Sequence, residues 1–408
     1  MRFSALDGWR GIAAVGVAVF HLSVLGHFFD VSFIRKADVF VDFFFVLSGF
    51  VLTHAYGGRL SSKEEFFCFA IRRFGRLWPL HIVTTLVLVA IEVLKFAAMK
   101  FAGLGAGAPA FAGRTGLDAL AYNIFLLHGL GFFPDFTWNL PSWSISTEFY
   151  VYATFAGVCV VFGRPSAMIA AVAALLAGLV FFVLLGGHAG PPPLYAAVPR
   201  CMCEFFIGVL VYLLFRSMPQ SIVSGASWLE IPVVLLMVAV VSMMPRSHLA
   251  FVSPFLFGAT IFVFATGGGI VSRLLEWRPI QSVGEISYSI YLVHFVVLTL
   301  FNAFTRALEQ KLHVPLRAQF VHDGAPFDVL TAGGPWVLDL VALGYLVVVI
   351  LVSRRTYELS EIPARDYFNR RAAAAFVVLP AEKPESTDAP WCAERSLRSG
   401  AATRGRSS

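Results

Sequence analysis

Apolar residues along this chain come in long blocks separated by short polar breaks, and the blocks set the elements. Runs at roughly 11–29, 39–57, 74–98, 142–162, 166–187, 199–216, 229–245, 250–268, 285–303 and 336–353 each approach the ~20 mostly apolar residues a helix needs to cross a bilayer. The pattern predicts an all-α polytopic membrane protein of about ten transmembrane helices. The blocks are unbroken rather than alternating over ten-residue segments, which excludes a transmembrane β-barrel. A shorter stretch at roughly 117–131 is too brief to cross and too apolar to float, so it predicts an interfacial or re-entrant helix.

An even number of spans puts both termini on one side. Placing them in the cytoplasm gives that side Arg2, Arg10, Arg59, Lys63, Arg72, Arg73, Arg76, Arg164, Arg216, Arg273, Arg278, Arg354, Arg355 and the tail arginines, an excess that fits the positive-inside tendency. Arg2 precedes the first apolar run, but Asp7 interrupts the approach and no small-residue cleavage site follows. That run is therefore read as a retained first helix and not as a signal peptide. Residues 1–355 form the predicted transmembrane domain, and 356–408 a cytoplasmic tail that is small, polar and charged enough to be disordered from about 372.

Composition rules out a soluble globule: 58% of the 408 residues are hydrophobic and only 14% charged, against roughly half and a quarter in soluble domains. Net charge is +6. The basic residues sit at helix ends and in the tail, so membrane orientation explains them and no nucleic-acid partner is expected. The five cysteines offer no CxxC pair and no Cys/His ligand spacing, so no metal site is predicted.

Ionisable side chains inside a bilayer are costly and point to function. Arg10 and His21 lie on the first helix, with His21 roughly 16 Å deeper at 1.5 Å per residue. Glu148, about six residues into the fourth span, is expected at a similar depth approached from the opposite side. A histidine beside a carboxylate is the pair that removes a proton from a hydroxyl, so His21 and Glu148 are the candidate catalytic residues. Arg73 and Arg76, one helical turn apart, share a face and with Arg10 could clamp phosphates. Asp42, Trp143, Ser146, Tyr291 and His294 are candidate substrate-binding groups; Ser287, Tyr291 and His294 form a polar stripe on one helix face.

Arg10 and His21 at their spacing, FFVLSGFVL at 43–51, RRFGRLWP at 72–79, WSISTEFYVY at 143–152 and VGEISYSIYLVH at 283–294 together resemble the bacterial acyltransferase 3 family. The fourth-span motif departs from the family's usual WSLSVEEQFY by lacking the polar pair after the glutamate, which bears on substrate contacts nearby. The chain resembles the stand-alone form, without the extracytoplasmic hydrolase-like domain some relatives carry. The resemblance implies a multi-pass enzyme of the bacterial cytoplasmic (inner) membrane. It would transfer acyl groups, commonly acetyl, from cytoplasmic acyl-CoA to a hydroxyl of lipopolysaccharide, exopolysaccharide or another envelope carbohydrate or glycolipid. Acyl-CoA would be a donor substrate and not a resident cofactor. The competing expectation is a secondary transporter or transmembrane acyl-group carrier using His and Glu as a proton relay.

Overall fold

The computed structural model describes residues 3–102, 109–163, 166–185, 193–219, 225–322 and 325–377. It is an all-α polytopic membrane protein built on α1 (Ser4–His21), α2 (Phe40–Tyr56), α3 (Lys63–Ala102), α4 (Trp143–Phe162), α5 (Ala167–Leu185), α6 (Ala197–Ser217), α7 (Glu230–Met243), α8 (Arg246–Thr266), α9 (Ser287–Leu312), α10 (Pro335–Thr356) and α11 (Ile362–Val377). Among the described residues, nine helices are long and apolar enough to cross a membrane. The shortfall from ten lies in α1, which carries Asp7 and Arg10 within its 18 residues and stops at His21, not at 29. After His21 the chain turns extended, and Val24 pairs with Leu330.

That pairing joins a hairpin the apolar blocks did not announce. Strands β1 (Arg317–His322) and β2 (Ala325–Leu330) run antiparallel with Phe320 opposite Phe327. Glu309 accepts hydrogen bonds from the backbone N–H groups of Leu316 and Arg317, tying the hairpin to the end of α9. The hairpin marks one end of the bundle, and Arg10, Arg73 and Arg76 mark the other.

The expected short helix around 117–131 is Leu117–Ile124. The irregular chain after it turns inward before α4: His128, Thr137, Asn139 and Ser142 are buried. Backbone at membrane depth must find partners inside the protein. Asn123 Nδ2 donates to Thr137 Oγ1 at 2.9 Å, Asn139 Nδ2 donates to Leu292 O at 3.2 Å, and Gly129 N–H donates to Ser146 Oγ at 2.9 Å. As a result α4 begins well inside the bundle.

Beyond Thr356 the chain makes one π-helical turn, Tyr357–Glu361, and continues as α11, which packs along α3. Residues 378–408, which include most of the tail expected to be disordered, lie outside the described residues.

Lipid tails are as apolar as leucine, so helices in a membrane associate through close packing more than through exclusion of water. The tightest crossing here is α2 on α6. A Cβ added to Gly49 would strike the carbonyl of Phe205, and one added to Gly208 would strike the carbonyl of Val46. Backbone therefore meets backbone, with Phe43, Phe50, Phe205, Phe206 and Phe257 sealed around the contact. Gly49→Leu should force these helices apart and cost about 1–3 kcal/mol, read as a lower unfolding midpoint in detergent. A midpoint equal to the parent's would contradict the close crossing.

Candidate active site

Five helices converge on a cavity of about 340 Å³ at the arginine end. From α1 comes Arg10, with Asp7 3.6 Å away. From α3 come Arg73 and Arg76, placed on one face by their three-residue spacing. Arg73 Nη2 donates to Tyr56 OH at 2.9 Å, and its guanidinium lies over the Tyr56 and Phe69 rings at 5.2 and 5.7 Å. Arg76 faces the cavity between the like charges of Arg10 and Arg73, with Glu361, from the π-turn, as an opposing charge. Planar guanidinium groups gathered in a partly dry pocket can grip phosphate oxygens two at a time.

Ser48 of α2, Glu148 and Tyr152 of α4, and Tyr288 and Tyr291 of α9 complete the wall. Ser48 Oγ donates to Glu148 Oε1 at 2.5 Å. Tyr152 OH also donates to Glu148 Oε1 and lies 3.0 Å from Ser48 Oγ. The cations acting on Glu148 are Arg76 and Arg10. Its carboxylate is thus pinned by two hydroxyls beside the arginines.

His21 sits elsewhere. Its Nδ1 is 2.9 Å from Val17 O and 3.3 Å from His294 Nε2, with the two imidazole centroids 5.1 Å apart. The carboxylate acting on His21 is Asp38, which Arg246 holds at 2.7 Å. His21 does not line the cavity; Tyr291, whose ring centroid is 6.1 Å from that of His294, stands between.

The structure therefore does not bring Glu148 to His21, and the start of α4 explains why. Ser144 Oγ meets Tyr291 OH at 2.8 Å. From that shared level Glu148 lies one turn toward the arginines, while His294 lies about one turn along α9 toward the hairpin. The separation along the bundle is roughly 10 Å at 1.5 Å per residue. Counting Glu148 inward from a surface boundary put it too near the hairpin end, because Trp143 is itself buried.

Three other candidates also stand away from the cavity. Asp42 is fully buried, bonded to Arg200 and to Ser253 Oγ at 2.6 Å, with Glu204 Oε1 3.3 Å from Arg200 Nε. Trp143 packs on Phe45 and Phe136. Ser146 Oγ donates to Leu126 O. Conversely, Ser48 and Tyr152 reach the cavity although the sequence reading made neither a site residue. A serine and a tyrosine one turn or one helix from an intramembrane carboxylate were the available signal. Among the described residues no cluster of three or more His, Cys, Asp or Glu offers a metal site.

Residues 3–354 match the family model described as Acyltransferase domain. The chain is similar to Acyltransferase MdmB of Streptomyces mycarofaciens, 31% identical over 166 residues covering 38% of each chain. It is similar to Peptidoglycan O-acetyltransferase OatA of Listeria monocytogenes, 24% identical over 335 residues that cover 72% of this chain and 49% of that one. It also resembles Protein 2 in picA locus of Rhizobium radiobacter, 34% identical over 167 residues, 38% of this chain and 81% of the other. Of the first two relatives the chain spans less than half the length. No solved structure matches.

Proposed function

Since this chain belongs to the acyltransferase 3 family, we propose that it is a multi-pass O-acyltransferase of the bacterial cytoplasmic membrane. It moves an acyl group, acetyl in the simplest case, from cytoplasmic acyl-CoA to a hydroxyl of an envelope carbohydrate or glycolipid. The observation that carries this reading is the gathering of Arg10, Arg73 and Arg76 around one cavity while the two helices that help to wall it, α1 and α9, hold the His21–His294 pair farther along the bundle. Similarity to OatA, a peptidoglycan O-acetyltransferase, supports a carbohydrate acceptor.

In this reading the donor enters at the arginine end, which faces the cytoplasm, and its phosphates occupy the guanidinium cluster. The pantetheine arm extends past Tyr291 toward His21, over the roughly 16 Å that separates Arg10 from His21 along α1. His21 Nε2 takes the proton of the acceptor hydroxyl as its oxygen attacks the thioester carbonyl, and the imidazolium returns that proton to the departing sulfur, so that the C–S bond breaks and CoA leaves as the thiol. Transient acylation of His21 itself is the other route open to the same atoms. Glu148 serves the donor side, offsetting arginine charge while the cavity is empty.

Acetyl-CoA affinity tests the donor site. Arg76→Lys keeps the charge that orients the helix but loses the two-pronged donor. Affinity in nanodiscs should fall roughly tenfold, about 1.4 kcal/mol, with unchanged topology. Lysine variants of Arg73 and Arg76 that both bind like the parent would remove these residues from the donor site. Purified protein that never consumes the thioester in the presence of acceptor would favour a transporter.

A further inference from the structure

Hydrogen bonds to backbone carbonyls fix the proton positions of the imidazole pair. His294 is fully buried, and its Nδ1 lies 3.1 Å from the Ile290 carbonyl. A carbonyl can only accept, so Nδ1 carries the hydrogen, and in the neutral ring Nε2 is left as an acceptor. That acceptor points at His21 Nδ1 from 3.3 Å. On its other side His21 Nδ1 faces a second pure acceptor, Val17 O, at 2.9 Å. Flanked by two acceptors, His21 Nδ1 must hold a hydrogen, and the lone pair of the neutral ring is then on Nε2.

The His294 ring is itself held. Tyr345 OH, on α10, donates to the His294 carbonyl at 3.0 Å, and the Tyr291 ring packs against His294 from the preceding turn. His21 by contrast is only half-buried. A rigid buried ring is thus aimed at a more accessible one.

We propose that His294 is the positioning residue of the reaction, acting beside the Val17 carbonyl to hold the His21 ring in place as the Nδ1-protonated tautomer, so that Nε2 faces the acceptor hydroxyl as a base. This rests on the acyltransfer reading above and gives His294 the work that a carboxylate does in histidine-based hydrolases. When His21 gains a proton at Nε2, its Nδ1–H stays bonded to His294 Nε2, so the imidazolium forms without the ring having to turn. His294 touches neither donor nor acceptor in this account.

Three variants and one spectrum test it. His294→Phe fills the same space without an acceptor, and His294→Gln restores an acceptor oxygen at similar reach. Steady-state transfer in nanodiscs at matched protein abundance should show kcat reduced at least tenfold in His294→Phe, KM for acetyl-CoA nearly unchanged, and most of the loss recovered in His294→Gln. A merely structural role would give the reverse ranking, with Phe tolerated and Gln harmful. Wild-type kcat in His294→Phe, or no recovery in His294→Gln, overturns the proposal. Histidine-selective 15N spectra of the donor-free protein, assigned by loss of a signal in His21→Ala, should show His21 protonated at Nδ1. Protonation at Nε2 would overturn the proposal even where a variant fails to fold. The broader reading fails separately, through an active His21→Ala.

Discussion

His21→Ala should lose acyl transfer by about two to four orders of magnitude, the range a positioned general base contributes, while inserting at normal abundance. The side chain is half-buried and its protein partners are Val17 O and His294 Nε2. Its removal leaves the helical Val17 carbonyl and one imidazole nitrogen, a modest structural loss. Nothing near it can stand in: His294 is sealed, and Glu148 is held by Ser48 and Tyr152 at the arginine end. The measurement is transfer of labelled acetyl from acetyl-CoA to envelope carbohydrate in membranes of matched protein content. Substantial residual transfer would exclude His21 both as base and as acyl carrier. Incubation with donor alone separates those two roles, since only the acyl carrier yields a modified His21 detectable by mass.

The second large effect is on stability. Asp42→Ala should cost about 3 kcal/mol, the low end for breaking a buried ion pair, because Arg200 and Ser253 lose the carboxylate they share while Glu204 still faces Arg200. Arg200 would then remain inside the bundle with Glu204 3.3 Å from its Nε, and Ser253 Oγ would lose its acceptor. Replacing Asp42, Arg200 and Glu204 together with apolar residues of similar volume should recover most of the loss, since the cluster stabilises little beyond offsetting its own desolvation. Unfolding midpoints and monodisperse yield in detergent report both outcomes. A single Asp42→Ala variant as stable as the parent would show that Arg200 does not depend on it.

The sequence made the bundle legible because a bilayer demands apolar length, and most spans begin and end within a few residues of their apolar blocks. It also put Arg10, Arg73 and Arg76 at one end through simple helical spacing. What it hid were relations between segments. Glu148 was misplaced because depth was counted from a boundary, whereas Trp143 starts α4 in the interior, after a loop that Asn123, Asn139 and Ser146 tie to the bundle. The partner of His21 was visible as part of the stripe at Ser287, Tyr291 and His294, yet no spacing rule says which helix that stripe faces. Arg200 and Glu204, four apart in an apolar helix, can pair with each other by spacing alone, and only the fold shows Asp42 joining them. The hairpin escaped because Arg317–His322 is short and half polar, and the pairing of Val24 with Leu330 at the end of β2 is nonlocal.

The π-turn at Tyr357–Glu361 sets the rotational phase of everything after it. One residue more or fewer turns a following helix by about 100°, and the face of α11 that meets α3 is narrow: Phe368 packs against Gly75 and Phe74, and Ala372 packs on Cys68. The same turn delivers Glu361 to Ser289 Oγ at 3.1 Å, within electrostatic reach of Arg76. The segment from Arg354 to Phe368 therefore behaves as a fixed-length coupling rather than a tether. In chimeras that exchange the end of this chain, residue identities there can vary, but a single-residue deletion would swing Phe368 off Gly75 and uncouple the terminal helix from the arginine cavity.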